Sequence, residues 1–249
     1  MYSSVSKTFA ENLNEVERLV DFDRDVLNIL ISSLEGLRDE VPRQVHSFTS
    51  RIDRVLHIIK GIRDHESLKT KYSTVCNQAV VLLVSHFASA LGDLFRAAVS
   101  ASLESGENNL LLDEELKITF REVREKNWDI KSSAGDMLIT KKDLMFQDMQ
   151  STVRAFDNYA GVQIEKNQCV NNIILGQAAR HAIVHASARV TQRMLKQVAK
   201  ATPRTLKQEL VPDETLVFTK DEVVELKREM IAYIERLVTK LETKTNQSN

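Results

Sequence analysis

Residues 79–99 read Ala79-Val80-Val81-Leu82-Leu83-Val84-Ser85-His86-Phe87-Ala88-Ser89-Ala90-Leu91-Gly92-Asp93-Leu94-Phe95-Arg96-Ala97-Ala98-Val99. A run this apolar is either a membrane span, which needs about 20 uninterrupted apolar residues, or the central helix of a globular core. His86, Asp93 and Arg96 interrupt it, and their charges decide for the core. Over residues 73–103 the apolar positions Val75, Ala79, Leu83, Phe87, Leu91 and Leu94, widened by Val80, Val84, Phe95 and Ala98, cover a broad helical face. A stripe that wide belongs to a helix packed on several sides.

The composition agrees. Gly 7 and Pro 3 in 249 residues leave few places for turns, while Leu, Val, Ala, Glu and Lys abound, so the chain is expected to be all-α. At this length roughly 70% of the unfolded surface is buried on folding. Cys76 and Cys169 are far apart and belong to no Cys-x-x-Cys pair, which indicates neither a disulfide framework nor a thiolate metal site. Residues 1–14 are polar and lack the apolar segment of a signal peptide. A soluble, cytoplasmic protein with no membrane partner is the expectation.

Upstream of the core helix, Leu13, Val16, Val20, Leu27, Leu30, Leu34 and Leu37 keep the three-four spacing of a heptad seam, broken only at Asp23. Gly36 and Pro42 end that helix. A second seam runs through Val45, Phe48, Ile52, Val55, Ile59 and Ile62. Two such helices predict an antiparallel hairpin over residues 1–70. It either braces the remaining domain, 71–249, or serves as an oligomerisation or partner arm, because another chain can fill a heptad seam equally well.

Downstream, Glu104 to Asn109 reads as a loop and 113–126 as a charged helix, while 127–140, with Trp128, reads as an extended connection. Thr140 with Asp143 resembles a capping box for a helix through Leu144, Met149, Val153 and Phe156 that ends near Gly161. Another helix starts near Glu165. A further one carries Val190, Met194, Leu195 and Val198 and stops at Pro203. Leu216-Val217-Phe218 reads as a short extended piece, and Thr219 caps a last amphipathic helix through Val223, Leu226, Met230, Ile234, Leu237 and Leu241.

One window departs from the overall formal charge of -1. From Lys166 to Lys207 there is no Asp or Glu, and Lys166, Arg180, Arg189, Arg193, Lys196, Lys200, Arg204 and Lys207 are all basic. Arg189, Arg193, Lys196 and Lys200 recur every three or four residues, so their fields add on one surface and favour an anionic polymer such as RNA. At the centre stands Arg180-His181-Ala182-Ile183-Val184-His185. Cleavage of RNA without a metal needs a base for the 2'-hydroxyl, a cation for the developing phosphorane charge and an acid for the leaving 5'-oxygen. Histidine supplies the proton transfers near neutral pH, and arginine grips two phosphate oxygens at once. Residues 180 and 185 lie about 140° apart on a helix, whereas 181 and 185 share a face. One copy therefore supplies half of a composite site, and a two-fold axis completes it.

This hexapeptide resembles the signature of the HEPN superfamily: an arginine, a polar residue, and a histidine after four to six intervening positions. The resemblance covers about residues 71 to 249. It implies an all-α, up-and-down HEPN-like bundle, to which the N-terminal hairpin is an addition, a homodimer with motifs facing across a cleft, and metal-independent endoribonuclease activity without a cofactor. It also implies a toxin or antiviral role, with an antitoxin or sensor protein as a partner. On this reading Arg180 stabilises the phosphate charge, His185 is the acid or base, and His181 orients or transfers a second proton. Asp93 is the candidate for the acidic residue that many such proteins carry on an upstream core helix. The same spacing recurs at Arg51 and His57, but there Ile52 follows the arginine and Asp53 and Asp64 are near. Context, not spacing, selects Arg180. Two other readings use the same residues: an inactive HEPN module that binds RNA, a nucleotide or a protein partner, and a zinc pair at His181 and His185, which no thiolate or carboxylate in the window completes.

Overall fold

A computed structural model describes residues 2–40, 46–64, 66–106 and 109–247. Among these the chain is helical, with no strand and one isolated bridge between Arg189 and Thr215. α1 (Tyr2–Glu40), α2 (His46–Asp64) and α3 (Glu66–Ser105) are followed by the short helices α4 (Asn109–Leu112), α5 (Phe120–Glu125), α6 (Ile130–Lys141) and α7 (Met149–Ala155). A π-helical turn (Phe156–Ala160) extends α7, and α8 (Gln168–His185), α9 (Gln192–Val198) and α10 (Lys220–Gln247) complete the fold.

α3 is the axis. Ala79, Val80, Leu83, Phe87, Leu91, Leu94, Phe95 and Val99 are fully buried, and helices α1, α6, α8 and α10 pack around them. The stretch Tyr72–Ser105 has the length and hydropathy of a membrane span, yet 56% of its apolar window is buried inside the protein. Phe87 touches Phe9 of α1 at 6.0 Å between ring centroids and Tyr233 of α10 at 5.4 Å. One turn-pair further on, Phe95 meets Phe146, Phe156 and Tyr159. Edge and tilted contacts of this kind add about 0.5–1.5 kcal/mol each beyond burial.

The N-terminal half of α1 belongs to this core rather than to a separate hairpin. Phe9, Leu13, Val16 and Val20 are buried in the same cluster as α3 and α10, and Lys220 and Lys227 of α10 pair with Asp21 and Glu17 of α1. Packing thus divides the molecule within α1, not at residue 70. Beyond Val20, α1 projects with α2 as an antiparallel arm, tied by Lys60 to Glu35 at 2.6 Å and Arg38 to Asp53 at 3.8 Å. Its own small core is Ile31, Ile52, Leu56 and Ile59, with Leu27 and Leu34 packed against it. The expected seams are shifted here. Leu30, Leu37, Val55 and Ile62 are exposed, and Ile31 and Leu56 take the inward places; Val45 and the side chain of Phe48 lie outside the described residues.

Downstream differences have local causes. Residues 113–126 are not one helix: Thr119 forms a capping box with Glu122 and starts α5 in mid-segment. The stretch 127–140 is not extended. Asp129 caps α6, and that helix lies so close to α3 that a Cβ on Gly135 would stand 2.7 Å from the Arg96 Cα. Arg96 clamps the crossing through Asp136 at 2.6 Å. Thr140 is therefore inside α6, and Asp148 caps α7 instead. Gly161 does end the following turn, at a φ of 59° that glycine adopts without a Cβ clash.

Two buried asparagines fix the connection between α8 and α10. Asn172, fully buried, donates to Thr205 Oγ1 and Glu229 Oε1 and accepts from the Thr205 and Leu206 amides. Asn77 donates to the Leu216 carbonyl at 2.8 Å and accepts from the Phe218 amide at 3.0 Å. That bond pair holds the 216–218 strip against α3. Thr219 then opens α10 with a capping box through Glu222. Replacing Asn77→Ala strands two buried backbone groups, so chemical denaturation is expected to show a loss on the order of 2–4 kcal/mol. A loss below about 0.5 kcal/mol would contradict the clamp.

Candidate active site

The polar end of α8 forms because the chain must leave the core there. Asn167 caps its start by accepting from the Val170 amide. From Val170 to Ala179 nearly every residue is buried, including Gln177, whose Oε1 accepts from the Met149 amide at 3.0 Å and starts α7. Ala182 is the last buried residue, and its carbonyl accepts from both the Ala186 and Ala188 amides. Ser187 and Ala188 both take positive φ, 51° and 57°, a left-handed pair costing about 1–2 kcal/mol per residue. Bonds from Val190 to Glu214, Asp213 to Val190 and Leu216 to Ala188 hold that turn in place. Asn77 pins the same strip, so it reaches the site through the backbone.

Arg180, His181 and His185 emerge at this end. The rings of His181 and His185 lie 4.8 Å apart at 45°, the i, i+4 neighbours that the spacing predicts. His185 is exposed and closes the helix, while Arg180 and His181 are half-buried. Arg180 reaches Gln147 at 3.5 Å, a weak tether that leaves its guanidinium largely free to take an anion. Burial first, then the charges of Arg193, His185 and Arg180, hold the His181 pKa below the ordinary imidazole value. His181 is thus neutral at physiological pH and available as a proton acceptor. Neither Gln147 nor the approach of Arg193 to His181 was legible from spacing, since both depend on loop paths.

Asp93 stands apart from this group. It pairs with Arg96 at 3.0 Å and lines a cavity with His86 and residues of α1. No hydrogen bond or ion pair joins it to Arg180, His181 or His185 among the described residues. His181 and His185 likewise gain no third metal-ligating side chain among the described residues.

The basic window separates into two groups. Arg204 donates to the carbonyls of Ala201, Lys207 and Gln208, and Lys207 pairs with Glu222 at 2.7 Å over the Phe218 ring. These two cations hold the connection rather than a ligand. Arg189 is exposed but spends a donor on the Asp213 carbonyl at 3.0 Å. Arg193, Lys196 and Lys200 are exposed and make no ion pair among the described residues. α9 is shorter than expected: Thr191 caps it and it ends at Val198, so Arg189 flanks it from the bridge to Thr215 and Lys200 from a turn. The surface is also less purely basic than the sequence window, because the α8–α9 turn pairs with the strand-like 213–216 segment and brings Asp213 and Glu214 beside it.

The depressed His181 value has a measurable sign. The folded chain binds fewer protons than the unfolded one between the two pKa values, so stability from the neutral ring is present above the unfolded value and lost as pH falls towards the folded one. In an NMR titration His181 is expected to titrate below ordinary imidazole, and Arg193→Gln to raise its midpoint. A midpoint unmoved by that substitution would separate Arg193 from His181.

Searches against protein-family models, curated proteins and solved structures returned no match.

Proposed function

We propose that this chain is a metal-independent endoribonuclease of the HEPN type. The observation that carries the reading is the close pair His181 and His185 at the exposed end of α8, directly after Arg180 and beside Arg193, Lys196 and Lys200, which make no ion pair among the described residues. In the proposed reaction a histidine takes the 2'-hydroxyl proton and the 2'-oxygen attacks phosphorus. The bond to the 5'-oxygen then breaks, and a second imidazolium protonates that leaving group. Products are a 2',3'-cyclic phosphate and a 5'-hydroxyl. Neutral His181 suits the base and exposed His185 the acid, with Arg180 on the phosphorane oxygens. Because Arg180 and His185 diverge on one helix, a homodimer would bring a second motif across the substrate. RNA is held by the backbone through Arg193, Lys196 and Lys200, with Arg189 at the edge. A toxin or antiviral role, restrained by an antitoxin or sensor protein, follows from the family resemblance alone.

A second reading has its own observation. Asp93 is engaged by Arg96 and not by the motif, which favours an inactive module that binds RNA, a nucleotide or a protein partner through the same basic surface. Purified protein and His185→Ala are to be incubated with RNA in excess EDTA. Cleavage with cyclic-phosphate ends, reduced about 10²–10⁴-fold in the variant, supports the enzyme. Binding without cleavage in either protein supports the module and removes the enzyme. In either case Arg193→Ala and Lys196→Ala are each expected to flatten the log–log salt dependence of RNA binding by about 0.7 per lost phosphate contact, measured by fluorescence anisotropy.

A further inference from the structure

The arm made by α2 and the outer half of α1 buries only one side of each helix. On α1, Leu19, Phe22, Val26, Ile29, Leu30 and Leu37 are exposed, Phe22 at 63% and Ile29 at 67%. On α2, Val55, Ile58 and Ile62 are exposed, Ile58 at 53%. At about 100° per residue both stripes stand roughly 100° round from the inward faces that join the two helices. The helices are antiparallel, so these rotations run in opposite senses and bring both stripes to the same side of the arm. Steps of three and four residues within each stripe are those of knobs-into-holes packing.

The size of the face limits what covers it. Nine large apolar side chains, most near half exposure, present roughly 800 Å², the area one partner gives up in a stable complex and more than a monomer ordinarily leaves open. A lipid surface fits poorly. Over residues 21–40 and 46–64 of the arm eight acidic residues outnumber six basic ones, whereas membrane-surface helices are basic on their polar face. The edges are instead complementary to each other. Glu40 lies beside the α1 stripe, Arg51 and Arg54 beside the α2 stripe, and none of the three makes an ion pair among the described residues. Because Arg38 lies opposite Asp53, Glu40 and Arg51 stand at one height on the arm. A two-fold axis along the arm therefore sets Glu40 of one copy beside Arg51 of the other, with Arg54 one turn away.

We propose that this face is a homodimer interface, on which the arm of a second copy of this chain packs to form a four-helix bundle. It lies on helices outside the Arg180 site and stands whether or not that site cleaves RNA. The full chain and the variants Ile29→Glu and Ile58→Glu are to be compared by sedimentation equilibrium, with far-UV circular dichroism as a control for folding. The expected result is a wild type of even subunit number, and half that mass in each variant with helix content unchanged. Monomeric wild type overturns the proposal, as it would if a different protein covers the face, and so does an unchanged mass in both variants. RNA cleavage measured on the same samples keeps the two readings separate: loss of mass without any cleavage in wild type removes the ribonuclease and leaves the interface.

Discussion

A helix that is apolar round most of its circumference has to be sheathed, and α3 imposes that requirement on everything else in the fold. Phe87 and Phe95, both fully buried, are the two levels at which the sheath is tightest. The first joins α1 and α10, the second the α6–α7 side. Burial of side chains this large contributes on the order of 2–3 kcal/mol each, so the surrounding helices find their places by covering α3 and not by strong propensities of their own. Short α6 is the clearest case. Its Lys131, Ser132, Ser133 and Gly135 carry no apolar period, and it is fixed by the missing Cβ at Gly135 and the Arg96 to Asp136 bond.

Sheathing α3 leaves a long connection from α9 to α10 that must cross the core with its backbone polar groups satisfied. Asn77 and Asn172 meet that need with side chains that act as backbone surrogates. The placement of Asn77 also bears on the end of α8. The strip that Asn77 holds continues the 213–216 segment bonded to residues 188–190, which keeps the left-handed turn at Ser187 and Ala188 beside exposed His185, while Asn172 holds Thr205 and Leu206. The tip of α8 is thus supported from below by the neutral amide of Asn77, while Asn172, Arg204 and Lys207 spend their bonds elsewhere on the same connection.

Much of this was legible in the sequence where one element alone decides it. The broad face of α3, the Thr219 cap, the Gly161 stop and the pairing of His181 with His185 all follow from spacing and cap chemistry. What spacing could not resolve is the choice between two overlapping three-four series on one helix. Leu30 and Ile31 are neighbours in sequence and lie on opposite sides of the decision, and only the partner helix says which turns inward. The same holds for Val55 against Leu56. Charge was misread for a related reason. A window free of acids in sequence acquires Asp213 and Glu214 in space, and loses two cations to internal bonds, because loops bring together what the chain separates. Asp93 lies on the core helix α3, yet it pairs with Arg96 one turn away and not with the residues at the end of α8.

α1 is helical from Tyr2 to Glu40, with no break where it leaves the core. Its first half is locked by Phe9, Leu13 and Val16, and the remainder, about 30 Å at 1.5 Å per residue, is cantilevered from that anchorage. A tilt of about 10° at the root carries the tip through roughly 5 Å. The same stiffness works in reverse: load on the arm is delivered as torque to the Phe9–Phe87 contact. One continuous rod makes the outermost residues and the centre of the molecule mechanically a single part.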